Sequence, residues 1–311
     1  MTRIVISGAS GDLARRVTKQ LIAADPLRDL TLVTRTPAGI DVDGPNVSVR
    51  PGDFAKPELF HEAYRGGDIL FLVSGLNLGR RTIEHRNAIE AAKKAGIGHI
   101  VYTSVGGVQP GNPALSAIDH YETEQDLRTS GLAYTILRNA LYAEIVSAIW
   151  LAPAAREGVL EMATGQGALA PVSKVDVARA ASAILTAPDR HVGAVYEITG
   201  PELLSMTEIV RLGSEAFGTD ISYRPVSEQE RLDFFDSVGM PRTYDPNMQP
   251  SPDGHMWASD ELVSADVAVA CGYQALLSRH VEQITGQPPI SLRSVLDTMK
   301  GVRYDRIGTL V

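Results

Sequence analysis

The sequence predicts an α/β protein: a Rossmann-type, doubly wound parallel sheet carrying a smaller C-terminal α/β substrate lobe. Three observations predict it. Strand-like and helix-like segments alternate through the first half of the chain. The strand segments are apolar along their whole length, which suits a sheet covered by helices on both faces. A glycine pair, Gly8 and Gly11, separates the first strand from the first helix.

The elements follow in order. "RIVISG" reads as a buried strand, and "LARRVTKQLIAA" has apolar residues at helical spacing. "LTLVTR", "VSVRPGD" and "DILFLVSG" are the next three strands. "RTIEHRNAIEAAKKAG" is a helix that Gly96 ends, and "HIVYTS" is the fifth strand. Residues 117–130 form a helix closed by Gly131, and "AYTILRN" is the strand after it. The pattern loosens beyond residue 145. "PVSKVDVARAASAILTA" predicts a strand and then a helix capped by Asp176, and "GAVYEITG" a further strand. Ser205 with Glu208, and Ser227 with Glu230, have capping-box spacing. Residues 241–258 read as a long loop, either a lid or a surface excursion. The expected organisation is a dinucleotide-binding domain over 1–150, rejoined by 173–200, with 151–172 and 201–311 forming the substrate lobe.

Bulk properties exclude several classes. The chain has 311 residues, 44% hydrophobic and 21% charged, which is globular composition. A net charge of −8 repels phosphate backbones, so nucleic-acid binding is not expected. Cys271 is the single cysteine, so no intrachain disulfide can form. That fits a reducing cytoplasm, and Cys271 is expected as a small buried apolar residue. "MTRIVISGAS" lacks the apolar region of a signal peptide, and no segment has the apolar length of a membrane span. A cytoplasmic monomer or homodimer is expected. The scattered histidines make no metal-binding constellation, so no metal is expected.

Gly8, Ala9, Ser10, Gly11, Asp12 and Leu13 lie between strand and helix. Glycines let a backbone approach a pyrophosphate, and a helix N-terminus attracts it through free N–H groups and its dipole. NAD-preferring sites place a carboxylate at the end of the second strand, to bond the ribose 2′-OH. Here that strand ends Thr34-Arg35-Thr36. The planar fork of Arg35 suits a 2′-phosphate, with Arg15 or Arg16 as helper, so NADP(H) is the expected cofactor.

These segments, together with "GDF" at 52–54, "AAKKAGIGHIVYTS", His120-x-x-Thr123-Glu124, "YTILRNALY" and "GAVYEITGPELLSMTEI", resemble the NmrA-like branch of the atypical short-chain dehydrogenases/reductases. Within it the chain is most similar to the bacterial NADPH:quinone oxidoreductases and triphenylmethane reductases. The likeness spans nearly the whole chain, with Ala14 standing where many relatives carry a third glycine. It implies that Asp53 and Phe54 lie near the adenine. It implies that Val73, Ser74 and Gly75 line the path of ribose and nicotinamide. Thr103 and Ser104 would end the strand that carries the active-site hydroxyl in this superfamily. Asn139 and Tyr142 would border the substrate crevice, Asn139 nearer the nicotinamide. Residues 145–172 and the loop around Met248, His255, Met256 and Trp257 would close the acceptor pocket.

The segment "HYETEQDLRTSGLAYTILRN" departs from the short-chain dehydrogenase pattern Tyr-x-x-x-Lys-x-x-x-Glu. Aligned on the strand that follows, Glu124 takes the glutamate place, His120 the lysine place and Ser116 the tyrosine place. Tyr121 is one residue out of phase, about 100° round the helix. A ketone receiving hydride becomes a basic alkoxide and needs a placed acid. A quinone or cationic dye delocalises or neutralises the charge and needs less help. The expected activity is therefore reduction of an electron-poor conjugated small molecule, with His120 orienting substrate or ribose and able to donate a proton near its ordinary pKa. Two alternatives stay open. One is a non-catalytic dinucleotide-binding sensor that acts through a partner protein. The other is a ketone, imine or enone reductase using Tyr142 or Tyr102 as its acid.

Overall fold

The computed structural model describes residues 2–42, 44–75, 77, 79–245 and 258–298. Seven parallel strands form the central sheet: β1 (Ile4–Ile6), β2 (Leu30–Thr34), β3 (Val47–Pro51), β4 (Ile69–Leu72), β5 (His99–Val105), β6 (Ala133–Asn139) and β7 (Val195–Ile198). Their spatial order is β3-β2-β1-β4-β5-β6-β7. Ile4 lies opposite both Leu30 and Ile69, so the order reverses on either side of β1. Ligands of open α/β sheets bind in the crevice beyond the strand ends at this switch point. β1, β2 and β4 are buried throughout, which is why they read as continuous apolar runs.

Helices cover both faces. α1 (Asp12–Ala24) and the later helix α4 (Lys174–Thr186) pack one face, where Leu13, Val17 and Leu21 meet Val177, Ala181 and Ile184 in one apolar core. Between them in sequence, α2 (Arg81–Lys94) and α3 (Leu115–Thr129) pack the other face. Tyr64, Leu70, Tyr102, Ala88, Ile89 and Leu127 fill the core there. A separate core joins Val146, Leu151, Met162, Ile209, Val210 and Leu296 in the C-terminal lobe. Two small sheets brace that lobe: Val159–Met162 runs parallel to Ser222–Pro225, and Ala168–Leu169 antiparallel to Leu204–Ser205.

Both expected capping boxes form, Ser205 with Glu208 and Ser227 with Glu230. The cap of α4 differs from expectation. Ser173 caps it by accepting from the Val175 amide, while Asp176 lies buried in the first turn, paired with Arg179 and accepting from the Ile290 amide. Asp176 therefore ties the helix to the C-terminal segment instead of capping it. Cys271 also departs from expectation: it is exposed, because it stands at the C-cap of the helix Ser259–Ala270, past the last buried turn. Of the loop 241–258, residues 246–257, and with them Met248, His255, Met256 and Trp257, lie outside the described residues.

Candidate active site

The glycine loop sits at the switch point. Gly8 has a φ of +61°, a left-handed conformation open to glycine, and a Cβ on Gly11 would stand 3.2 Å from the Gly8 carbonyl oxygen. Gly11 is the N-cap of α1, and among the described residues no side chain caps that helix. Ala9 is buried and donates its amide to Val33 O, while Ser10 accepts from Thr34 Oγ1. Asp12 pairs with Arg16 at 3.0 Å and with Lys174 at 3.3 Å. Its partial burial acts to raise its pKa, but the two cations outweigh that and hold it below the ordinary carboxylate value. Arg35 and Arg15 are exposed next to this loop, at the end of β2 and in the first turn of α1. Arg16 is committed to Asp12.

The ends of β4 and β5 are laced together. Val73 N donates to Ser7 Oγ, and Ser74 N donates to Thr103 Oγ1 at 2.9 Å. Gly75 donates its amide to His85 Nε2 and accepts at its carbonyl from Arg81 Nε. Arg81 is buried and reaches on to Asp119 and Glu261, joining the β4 end, α3 and the C-terminal lobe. Phe54 stacks edge-on against both Phe60 and His85, and Asp53 turns its carboxylate back onto the Ala55 amide.

α3 shows a polar buried stripe: Ala117, His120, Thr123, Glu124 and Leu127. Glu124, fully buried, accepts from Ser104 Oγ at 2.8 Å and from Arg138 through both oxygens, at 2.9 and 2.6 Å. His120, one turn nearer the helix N-terminus, has Nδ1 2.6 Å from the Tyr102 hydroxyl. Tyr121 faces away into a small cluster with Val108, Ala117 and Ala268, as its phase requires. One expectation for His120 is corrected. Burial, then the nearby charge of Arg81 and the ring of His85, push its pKa well below 6.5, so at neutral pH it is an uncharged imidazole and no cationic acid.

At the end of β6, Asn139 Nδ2 lies 3.3 Å from Tyr142 Oη, and Asn139 Oδ1 is buried with no partner. Whichever way round this amide is set, one of its polar atoms has no partner among the described residues. Burial pushes the Tyr142 phenol up to about 12. The ammonium of Lys174 lies 5.5 Å from the centre of the Tyr142 ring while it holds Asp12. The crevice thus gathers the Gly8–Leu13 loop, the ends of β4, β5 and β6, and α3.

Sequence reasoning missed Arg81, His85 and Lys174. Arg81 and His85 share a helical face with Ala88 and Ala92, so polar side chains on an otherwise apolar stripe marked them. Lys174 carried no local mark, because it meets Asp12 only through tertiary packing.

A doubly wound sheet with a glycine loop at its switch point is the architecture of a dinucleotide-binding protein. Residues 8–188 match the NAD(P)H-binding family, and the chain belongs to it. It is an NmrA-like, NAD(P)H-dependent oxidoreductase of atypical short-chain dehydrogenase type, without the tyrosine–lysine pair. The chain is 32% identical over 291 residues to quinone oxidoreductase 2 of Escherichia coli K12, covering 93% of this chain and 96% of that protein. Among solved structures it is similar to the NADPH complex of an E. coli NADPH-dependent quinone oxidoreductase, with a TM-score of 0.81, 30% identity and coverage of 95% and 99%. It is also similar to the Citrobacter sp. triphenylmethane reductase bound to NADP(H), with a TM-score of 0.78, 26% identity and coverage of 95% and 99%. Among the described residues no helix is long and apolar enough to cross a membrane, and no group of three or more His, Cys, Asp or Glu could hold a metal ion.

Proposed function

We propose that this protein is an NADPH-dependent reductase of electron-poor conjugated acceptors such as quinones or dye-like aromatics. One observation carries the reading: the candidate acids of the crevice are weak. Ser104 commits its proton to Glu124, His120 is held neutral, and the Tyr142 phenol is pushed up to about 12. Such a site serves poorly for an alkoxide and adequately for an acceptor that spreads its new charge. The relatives named as quinone and triphenylmethane reductases support the same reading.

The residues fit a dinucleotide. The Gly8–Leu13 loop and the first turn of α1 would hold the pyrophosphate, and Arg35 with Arg15 the 2′-phosphate. Asp53 and Phe54 would border the adenine. Val73, Ser74, Gly75 and Thr103 would line the ribose path, and Asn139 would meet the nicotinamide end through its unpartnered oxygen. The bound nicotinamide supplies a hydride. The protein's part is to orient and shield: His120 offers a neutral N–H to substrate or ribose, Tyr142 closes the β6 side, and Ser104 presents lone pairs.

Specificity constants for a quinone, a cationic dye and a simple dialkyl ketone, each with NADPH, test this. The quinone and dye are expected to exceed the ketone by at least about a hundredfold, the usual worth of a placed acid. Equal or better turnover of the ketone would favour a carbonyl reductase instead. Tight NADPH binding with no turnover of any acceptor would favour a sensor.

A further inference from the structure

Beneath the crevice, three aromatic side chains form a chain of hydrogen bonds whose direction can be worked out. Gly75 N–H donates to His85 Nε2 at 3.2 Å. That nitrogen must therefore be unprotonated, and the single ring proton of neutral His85 sits on Nδ1. His85 Nδ1 faces Thr123 Oγ1 at 3.1 Å and Tyr102 Oη at 3.3 Å, so it donates to both oxygens. Tyr102 then has no acceptor in His85; Thr123 and Ser74 also lie near its hydroxyl, but the short contact is to His120 Nδ1, 2.6 Å away, which takes its hydrogen. Thr123 Oγ1 gives its own hydrogen to Asp119 O at 3.0 Å and so serves this group as an acceptor. Tyr102 and His85 are fully buried and His120 is nearly so, so water does not compete for these bonds.

We propose that Tyr102 is a positioning residue: its hydroxyl, oriented by His85, fixes His120 in the Nε2–H tautomer, so that any ligand group meeting that nitrogen must be a lone-pair acceptor such as a carbonyl or quinone oxygen. The part that concerns the acceptor rests on the reductase reading. The tautomer itself does not. Both of its causes lie ahead of His120 in the chain, His85 on α2 and Tyr102 on β5. In this arrangement the amide of Gly75, at the end of β4, sets the hydrogen-bonding polarity of a side chain on α3. α3 runs back from the crevice, and His120 stands one turn nearer its start than Glu124, which reaches Ser104 at the end of β5.

The test is a long-range proton–nitrogen correlation spectrum of the histidine rings in uniformly labelled full-length protein, with the His120 signals assigned by their loss in His120→Gln. Wild type is expected to show one neutral tautomer for His120, with the proton on Nε2 and an unprotonated, hydrogen-bonded Nδ1. Tyr102→Phe is expected to lose that Nδ1 hydrogen-bond shift and populate both tautomers. It should also raise the KM for a quinone roughly 5- to 10-fold, the scale of one hydrogen bond, with a smaller change in kcat. A wild-type His120 protonated on Nδ1 would overturn the proposal, as would a Tyr102→Phe spectrum unchanged at His120. If Tyr102→Phe fails to fold, the wild-type tautomer alone decides. The expected spectra in a protein that turns over no acceptor would leave the relay standing and remove the reductase reading.

Discussion

Glu124 Oε1 accepts from Ser104 Oγ at 2.8 Å while the Arg138 guanidinium bonds both oxygens of the same carboxylate. Glu124 is fully buried, and Arg138 also reaches Glu197 at 3.2 Å. The pair fastens α3 to β6 at the floor of the crevice. Arg138→Leu would leave the buried carboxylate with only Ser104 and the more distant Arg128, at 3.5 Å. Removing one partner of a buried ion pair costs about 3–5 kcal/mol. Urea unfolding of the variant should show a loss of this order, and a loss below about 1 kcal/mol would mean that the pair is surface-like in energy.

Gly8 stands at φ +61°, where a Cβ has space, its nearest neighbour being Val73 Cβ at 3.8 Å, but the backbone conformation does not suit it. Gly8→Ala should cost about 1–2 kcal/mol of stability. It should also weaken NADPH binding, because the loop would relax away from the pyrophosphate position. Calorimetric titration beside thermal melts checks both. An unchanged Kd would show that the loop does not meet the cofactor closely.

Much of this was legible in the sequence. Strands β1 to β6 and the helices α1, α2 and α3 follow from strand-like segments, helical spacing and closing glycines such as Gly96 and Gly131, whereas the short helix Phe60–Tyr64 and the exposure of β3 do not. Placing His120, Glu124 and Tyr121 needed only the four-residue helical repeat. What the sequence withheld depends on tertiary neighbours. The protonation state of His120 depends on burial beside Arg81 and His85, residues three dozen positions away. The cap of α4 passed to Ser173 because Asp176 has a distant partner, the Ile290 amide. Cys271 is exposed because its helix ends one residue earlier, which composition alone does not reveal.

His85 and His120 are neutral in the folded protein, since burial first and nearby positive charge second lower both pKa values, His85 to about 3. A folded pKa below the unfolded value of 6.5 means that the unfolded chain takes up the proton first. The stability these rings contribute is complete above pH 6.5 and is lost as pH falls toward the folded pKa. Each ring then contributes a slope of about 1.4 kcal/mol per pH unit. Between pH 7 and pH 5, wild type should lose more stability than His120→Gln, which lacks one of the two rings. Equal losses would place His120 among groups that protonate freely in the native state.

Arg35 is exposed at the end of β2, with no carboxylate beside it in Thr34-Arg35-Thr36. Charge-assisted contacts to a 2′-phosphate are worth about 1.5–3 kcal/mol, or roughly ten- to a hundredfold in affinity. Arg35→Ala should lower the ratio of NADPH to NADH affinity by that factor and leave NADH binding nearly unchanged. A ratio that does not move would remove Arg35 from the cofactor site.

The central claim is tested most directly by following NADPH absorbance in the purified wild-type protein with a simple quinone, and NADH run beside it. The account predicts rapid oxidation of NADPH that depends on both protein and quinone, and much slower oxidation of NADH. Saturable NADPH binding without oxidation, with the quinone recovered unchanged, would contradict it.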